Sequence, residues 1–120
     1  MAAEGQDNKP VRIVLVEDDE PIRRRLAAIL NAWPGADLLA ECATLAEAMA
    51  AIAAQPLDLL VTDLKLPDGN GIAAIQQLRR TQPEAEAMVI SVMTDERIVL
   101  DAIEAGAAGY LLKDADSLDL

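Results

Sequence analysis

Carboxylates, a hydroxyl and an ammonium group stand where apolar segments of this chain end. Glu17-Asp18-Asp19 follows Val11-Arg12-Ile13-Val14-Leu15-Val16, and Asp63 follows Leu59-Leu60-Val61-Thr62. Ser91 closes a third such segment, and Lys113 follows Tyr110-Leu111-Leu112. Crowded carboxylates repel one another and are costly in a core. They suit a hard cation: Mg2+ takes oxygen ligands in a near-octahedral array and keeps several waters. The backbone carbonyl of Lys65, two residues past Asp63, is a further oxygen in reach. A carboxylate is also a competent nucleophile for forming an aspartyl phosphate. Phosphoryl transfer then needs mainly positioning and cancellation of charge on the equatorial oxygens. Glu17, Asp18, Asp63 and the Lys65 carbonyl are thus the candidate metal ligands. Asp63 is the candidate nucleophile, with Lys113 and Ser91 as counter-charge and hydrogen-bond donor.

Taken singly, each residue has an ordinary structural role. Acids before a helix serve as caps and dipole partners. A strand-end aspartate is commonly a turn residue, a lone lysine a solvated one, a lone serine a satisfied core hydroxyl. Their joint placement carries the argument, because open α/β sheets bind ligands beyond the carboxyl ends of their strands.

The elements that must position them alternate. Strand one runs from about Val11 to Val16, and helix one begins near Pro21, a residue suited to a first helical turn. Ile22, Leu26, Ile29, Leu30 and Trp33 are expected to point inward from it. Strand two spans about Asp37 to Cys42. Thr44 with Glu47 forms a capping box for helix two, whose stripe is Leu45, Ala48, Met49 and Ile52. Strand three is Asp58 to Thr62, and Leu66-Pro67-Asp68-Gly69-Asn70-Gly71 reads as a loop. Helix three turns Ile72, Ile75 and Leu78 inward, and strand four is about Ala87 to Ser91. Helix four starts near Thr94 or Asp95 and is expected to bury most of Ile98, Leu100, Ala102 and Ile103; strand five follows Gly109. Such alternation predicts a doubly wound α/β fold with a five-stranded parallel sheet, in the flavodoxin-like order 2-1-3-4-5. Residues 1–10 read as a flexible tail and 11–120 as the domain, with Ser117-Leu118-Asp119-Leu120 giving only the start of a fifth helix.

Composition narrows the function classes. At 120 residues the chain is one domain. With 52% apolar residues it is globular rather than disordered. A net charge of -11 argues against nucleic-acid binding through a broad basic face of this segment. The absence of histidine removes Ser-His-Asp and Cys-His catalysis, histidine zinc motifs and a phosphohistidine carrier role. No apolar run approaches spanning length, so no membrane partner is expected. The single Cys42 is expected to be a small buried apolar residue, and a cytoplasmic location is the simplest.

Three stretches together resemble the receiver domain of a two-component response regulator: Leu15 to Pro21, Val61 to Gly71, and Ala105 to Asp114. The resemblance runs from about Val11 to Asp114. It implies that Asp63 is the phosphoacceptor and that Glu17 and Asp18 are the acidic pair, Asp18 being the direct ligand to Mg2+. It further implies that Lys113 is the phosphate-binding lysine, with Ser91 as switch hydroxyl and Tyr110 as switch aromatic. Asp114 stands where many relatives carry proline, so the loop after Lys113 should lack that constraint. Lysine-aspartate here, with serine at position 91, resembles the NarL/FixJ-like subfamily. Its members usually carry a C-terminal helix-turn-helix domain that binds DNA and regulates transcription, a segment absent from this chain.

The function expected is therefore a phosphorylation-activated switch, not an enzyme turning over a metabolite. Its partner is a sensor histidine kinase, and a second copy of the chain is a candidate partner too. Arg23-Arg24-Arg25 reads as the solvated flank of helix one, with a kinase-docking patch as the alternative. Met93 and Lys65 occupy positions where the family tunes dephosphorylation. One rival is an aspartyl-phosphate phosphatase. It needs a second acid two residues past the nucleophile, where Lys65 stands. The other is a receiver that is never phosphorylated, against which all four key residues are present. Trp33, at the far end of helix one, is expected to respond weakly to magnesium or beryllofluoride. Without a full fifth helix, an apolar area on the order of several hundred Å² is expected to stay uncovered and to favour self-association.

Overall fold

The apolar segments pair, in this computed structural model, as one parallel sheet; the structure describes residues 9–92 and 96–112. Its elements in chain order are β1 (Val11–Val16), α1 (Glu20–Ala32), β2 (Ala36–Cys42), α2 (Leu45–Ala54), β3 (Leu59–Thr62), β4 (Lys65–Leu66), β5 (Gly69–Asn70), α3 (Gly71–Thr81), β6 (Glu86–Ser91), α4 (Glu96–Ala105) and β7 (Gly109–Leu112). The five-stranded sheet has the order β2-β1-β3-β6-β7. Leaving aside the two-residue strands β4 and β5, that is the expected 2-1-3-4-5. The strands end where expected, and apart from β1 their starts shift by one residue.

The register fixes which residues share the carboxyl edge. Cys42, Val16, Thr62, Val89 and Tyr110 form one continuous row of strand partners. Glu17 and Asp63 are the next residues up from Val16 and Thr62, so both acids leave the sheet at one level.

Two cores lie on opposite faces. One joins Val14, Val16, Leu60 and Val89 to α2, α3 and α4 through residues such as Ile52, Ile75, Leu78 and Ala102. The other joins Ile13, Leu15, Val61 and Ile90 to Leu26 and Ala27 of α1. Each fully buried aliphatic side chain stabilises by about 1.5–3 kcal/mol.

Local chemistry accounts for the helix ends. Asp19 caps α1 by accepting from the Ile22 amide at 3.1 Å. The Thr44 half of the expected α2 capping box is present, Thr44 Oγ1 accepting from the Glu47 amide at 3.1 Å, while the Glu47 carboxylate reaches one residue further back, to the Ala43 amide rather than that of Thr44. Asn70 caps α3 through the Ile72 amide at 2.8 Å. Gln82 clasps two elements, accepting from the Leu57 amide and donating to the Ile52 and Gln55 carbonyls.

Four expectations need correction or fall outside. The 66–71 segment is not only loop: Lys65–Leu66 and Gly69–Asn70 pair antiparallel as a small ribbon. Ile29 of α1 and Trp33, its C-cap, are half-exposed rather than inward. The inward line of α1 runs through Leu26, Ala27 and Leu30, and a helix on a sheet buries only a narrow stripe. Leu100 and Ile103 of α4 are half-exposed for the same reason, since Ile98, Ala102 and Ala105 form its contact line. The expected helix-four start at Thr94 or Asp95, Met93, Lys113, Asp114, the tail residues 1–8 and the fifth-helix residues 117–120 lie outside the described residues.

Candidate functional site

The site is built from strand ends. Backbone bonds tie β1, β2 and β3 together at the edge: the Glu17 amide donates to the Cys42 carbonyl at 2.9 Å, and the Asp63 amide to the Val16 carbonyl at 2.9 Å. Glu17 is 1% exposed and Asp63 is 7% exposed, whereas Asp18 is open to solvent. One carboxylate oxygen from each of the three lies within 4.8 Å of the others. Sequence separation of 46 residues has become near contact.

Each carboxylate is held by its surroundings. Asp63 Oδ1 accepts from the Leu64 amide at 2.7 Å and, more weakly, from the Lys65 amide at 3.4 Å. Those bonds fix the rotation of the carboxylate. Glu17 Oε2 accepts from the Asp19 amide at 3.0 Å, while Arg23 donates to the Glu17 carbonyl at 2.9 Å. Asp19, the third acid of the run, borders the same cleft and serves as the α1 cap. Of the three arginines, Arg23 is half-buried against this loop and Arg24 pairs with Glu20 on the exposed flank of α1.

The acids line a cleft of about 470 Å³ with Lys65, Pro67, Ser91 and Val92. Ser91 is buried at the end of β6. Tyr110 is half-buried in β7, packed against the larger core. Lys65 is exposed in β4, next to Asp63 in space through its amide. Lys113 follows the last residue of β7 and lies outside the described residues. The structure therefore brings Glu17, Asp18, Asp63, Lys65 and Ser91 to one cleft.

The donor set suits a hard divalent cation. All three ligands are oxygens, and octahedral Mg2+ spaces its ligands about 3–4 Å apart. Oxygens within 4.8 Å of one another are of the right order for that spacing.

Sequence reading missed the parts that hold the Asp63 loop. Gly71 donates to the Leu64 carbonyl at 2.7 Å. A Cβ on Gly71 would stand 2.1 Å from the Asp63 carbonyl oxygen and 2.9 Å from Thr62 Oγ1. Thr62 Oγ1 itself donates to that carbonyl at 2.8 Å. Asp68 accepts from two amides of α2. The Asp68-Gly69 pair signals a turn, but nothing in it names a partner in another helix. Cys42, read as a buried apolar residue, is one: burial pushes its thiol up to about 11.

Comparison with known proteins gives a consistent result. Residues 13–120 match the family described as the response regulator receiver domain. The DNA-binding transcriptional activator DevR/DosR of Mycobacterium tuberculosis is 40% identical over 110 residues, covering 92% of this chain and 51% of that protein. The nitrate/nitrite response regulator protein NarP of Escherichia coli is 31% identical, over 89% of this chain and 50% of its own length. The chain thus spans about half the length of these curated relatives. The solved signal receiver domain of the response regulator NarL from Mycobacterium tuberculosis matches with a TM-score of 0.83 at 27% identity, over 89% of this chain and 86% of that one.

Proposed function

The chain belongs to the response regulator receiver domain family, and from that premise we propose that it is a phosphorylation switch whose phosphoacceptor is Asp63. Receiver domains are regulatory signalling domains. One observation carries the assignment: the oxygens of Glu17, Asp18 and Asp63 meet within 4.8 Å, with Asp63 rotationally fixed by the amides of its own loop.

In the proposed step an Asp63 carboxylate oxygen attacks the phosphorus of a partner's phosphohistidine. A P–O bond forms, the P–N bond breaks, and the electron pair leaves on the imidazole nitrogen. Glu17, Asp18, Asp63 and the Lys65 carbonyl would hold Mg2+, which supplies charge cancellation on the phosphoryl oxygens. Ser91 donates a hydrogen bond to one oxygen and Lys113 offers its ammonium to another. The new charge of about -1.5 to -2 draws both toward Asp63. Tyr110, on the strand next to Ser91, follows as the switch aromatic and changes a partner-binding face.

The phosphoryl donor is a sensor histidine kinase and the location cytoplasmic; among the described residues no helix is long and apolar enough to cross a membrane. By analogy with DevR/DosR, the output is transcription control through a DNA-binding segment outside these 120 residues. A homodimer of the switched state is compatible with that role. The domain assignment is residues 11–120, preceded by a tail.

The test is labelling with acetyl phosphate and Mg2+. One base-labile, hydroxylamine-sensitive phosphoryl group is expected per chain, with Asp63→Asn unlabelled. Equal labelling of Asp63→Asn and the unaltered chain would overturn the assignment.

A further inference from the structure

Asp68 lies outside the acid cluster, in the turn between β4 and β5. Both of its oxygens are engaged. Oδ1 accepts from the Leu45 amide at 2.7 Å, and Oδ2 from the Ala46 amide at 3.0 Å. These are the first two amides of α2, which have no partner inside their own helix. The partners are 22 and 23 residues away in sequence. A carboxylate bonded to helix N-terminal amides makes charge-assisted contacts that also favour the positive end of the helix dipole. Beside it, a Cβ on Gly69 would stand 2.7 Å from Leu45 Cδ2, so the turn is seated directly on the α2 start.

The segment from Asp63 to Gly71 is thereby held at two places. At one end the Gly71 amide bonds the Leu64 carbonyl, and the Gly71 Cα packs against Asp63. At the turn Asp68 fastens the ribbon to α2. Between these points lies Lys65, whose amide reaches Asp63 Oδ1 and whose carbonyl is a candidate cation ligand. A ribbon of two residue pairs, three of its four residues exposed, has little stability of its own. Its geometry depends on what it is fastened to.

We propose that Asp68 is a positioning residue for the cation and phosphoryl site, latching the Lys65 ribbon to α2 so that the Lys65 carbonyl stays beside Asp63. The inference rests on the phosphoacceptor reading of Asp63, and its test separates the two.

The 120-residue chain is compared with Asp68→Asn, Asp68→Ala and Thr44→Ala. Thr44→Ala removes a different α2 cap, the hydroxyl that accepts from the Glu47 amide. Mg2+ affinity is measured by titration calorimetry and Mn2+ affinity by electron paramagnetic resonance, alongside acetyl phosphate labelling at varied Mg2+. Asp68→Ala should weaken cation binding about three- to tenfold, the equivalent of one hydrogen bond. Asp68→Asn should weaken it less, because its amide oxygen still accepts one bond. The Mg2+ needed for half-maximal labelling should rise in step. Thr44→Ala should lower thermal stability and leave cation affinity unchanged. Cation affinity in Asp68→Ala equal to that of the unaltered chain would overturn the latch, as would an equal loss in Thr44→Ala. An unaltered chain that binds Mg2+ but takes no label at Asp63 would sink the phosphoacceptor reading alone.

Discussion

Gly71 carries no side chain, and none would fit. With the Asp63 carbonyl oxygen 2.1 Å from the position of a Cβ, Gly71→Ala must push the α3 start away from the acceptor loop. The expected cost is about 1–3 kcal/mol, read as a lower urea midpoint, together with slower labelling at Asp63. Two acids set the pH response at this scale. Arg12 makes two side-chain bonds and one backbone bond to Asp58, at 3.0, 3.1 and 2.8 Å, and holds that carboxyl below its usual range. The amides of Leu45 and Ala46 do the same for Asp68. Both groups have a folded pKa below the unfolded value of about 3.9. Their stabilisation is therefore fully present above that value and lost as pH falls through the lower, folded one. The melting temperature should hold from neutral pH to roughly pH 5 and drop below about pH 4. Asp58→Asn should make that acid drop shallower, and an unchanged acid profile would refute its share.

The helices differ in how much of their apolar stripe meets the sheet. Leu78 of α3 is fully buried, while Leu100 of α4 is half-exposed. Leu78→Ala should cost about 2–5 kcal/mol, and Leu100→Ala only about 0.5 kcal/mol. Urea denaturation of the two variants checks this, and comparable losses would mean that α4 packs as the periodicity first suggests. The exposure of Ile29 in α1 and of Trp33 at its C-terminal cap follows the same logic. Among the described residues α1 is the helix packed on its face of the sheet, so its flanks have no neighbouring helix to cover them.

The whole molecule carries a net charge of -11, and three of its acids meet at one cleft. A cation bound there stabilises only the folded chain. At one hundred times its dissociation constant, Mg2+ should add about 2.7 kcal/mol, a rise in melting temperature of roughly 5–15 °C. Chelation should reverse it, and Asp18→Ala should remove most of it. An identical rise in Asp18→Ala would place the cation elsewhere. Trp33 lies at the far end of α1 from this cleft, so its emission should change little in the same titration.

Strand-helix alternation, the Thr44 cap on the Glu47 amide, and the strand-end positions of Glu17, Asp63 and Ser91 were all legible in the residues. They depend on local periodicity and on the chemistry of neighbours in sequence, which a linear reading contains. The strand order was legible as a common solution for such alternation. What tertiary structure alone decided were the contacts between distant segments. Asp68 reads as a turn residue until the turn is seen on the start of α2. Gly71 reads as the end of a loop until the Asp63 carbonyl is seen filling the space of its Cβ. Periodicity likewise overstated the inward faces of α1 and α4, because it reports which residues share a helix face and not how wide a stripe the sheet covers. Partners across 20 or more residues are set by packing, and packing leaves no pattern in either segment alone.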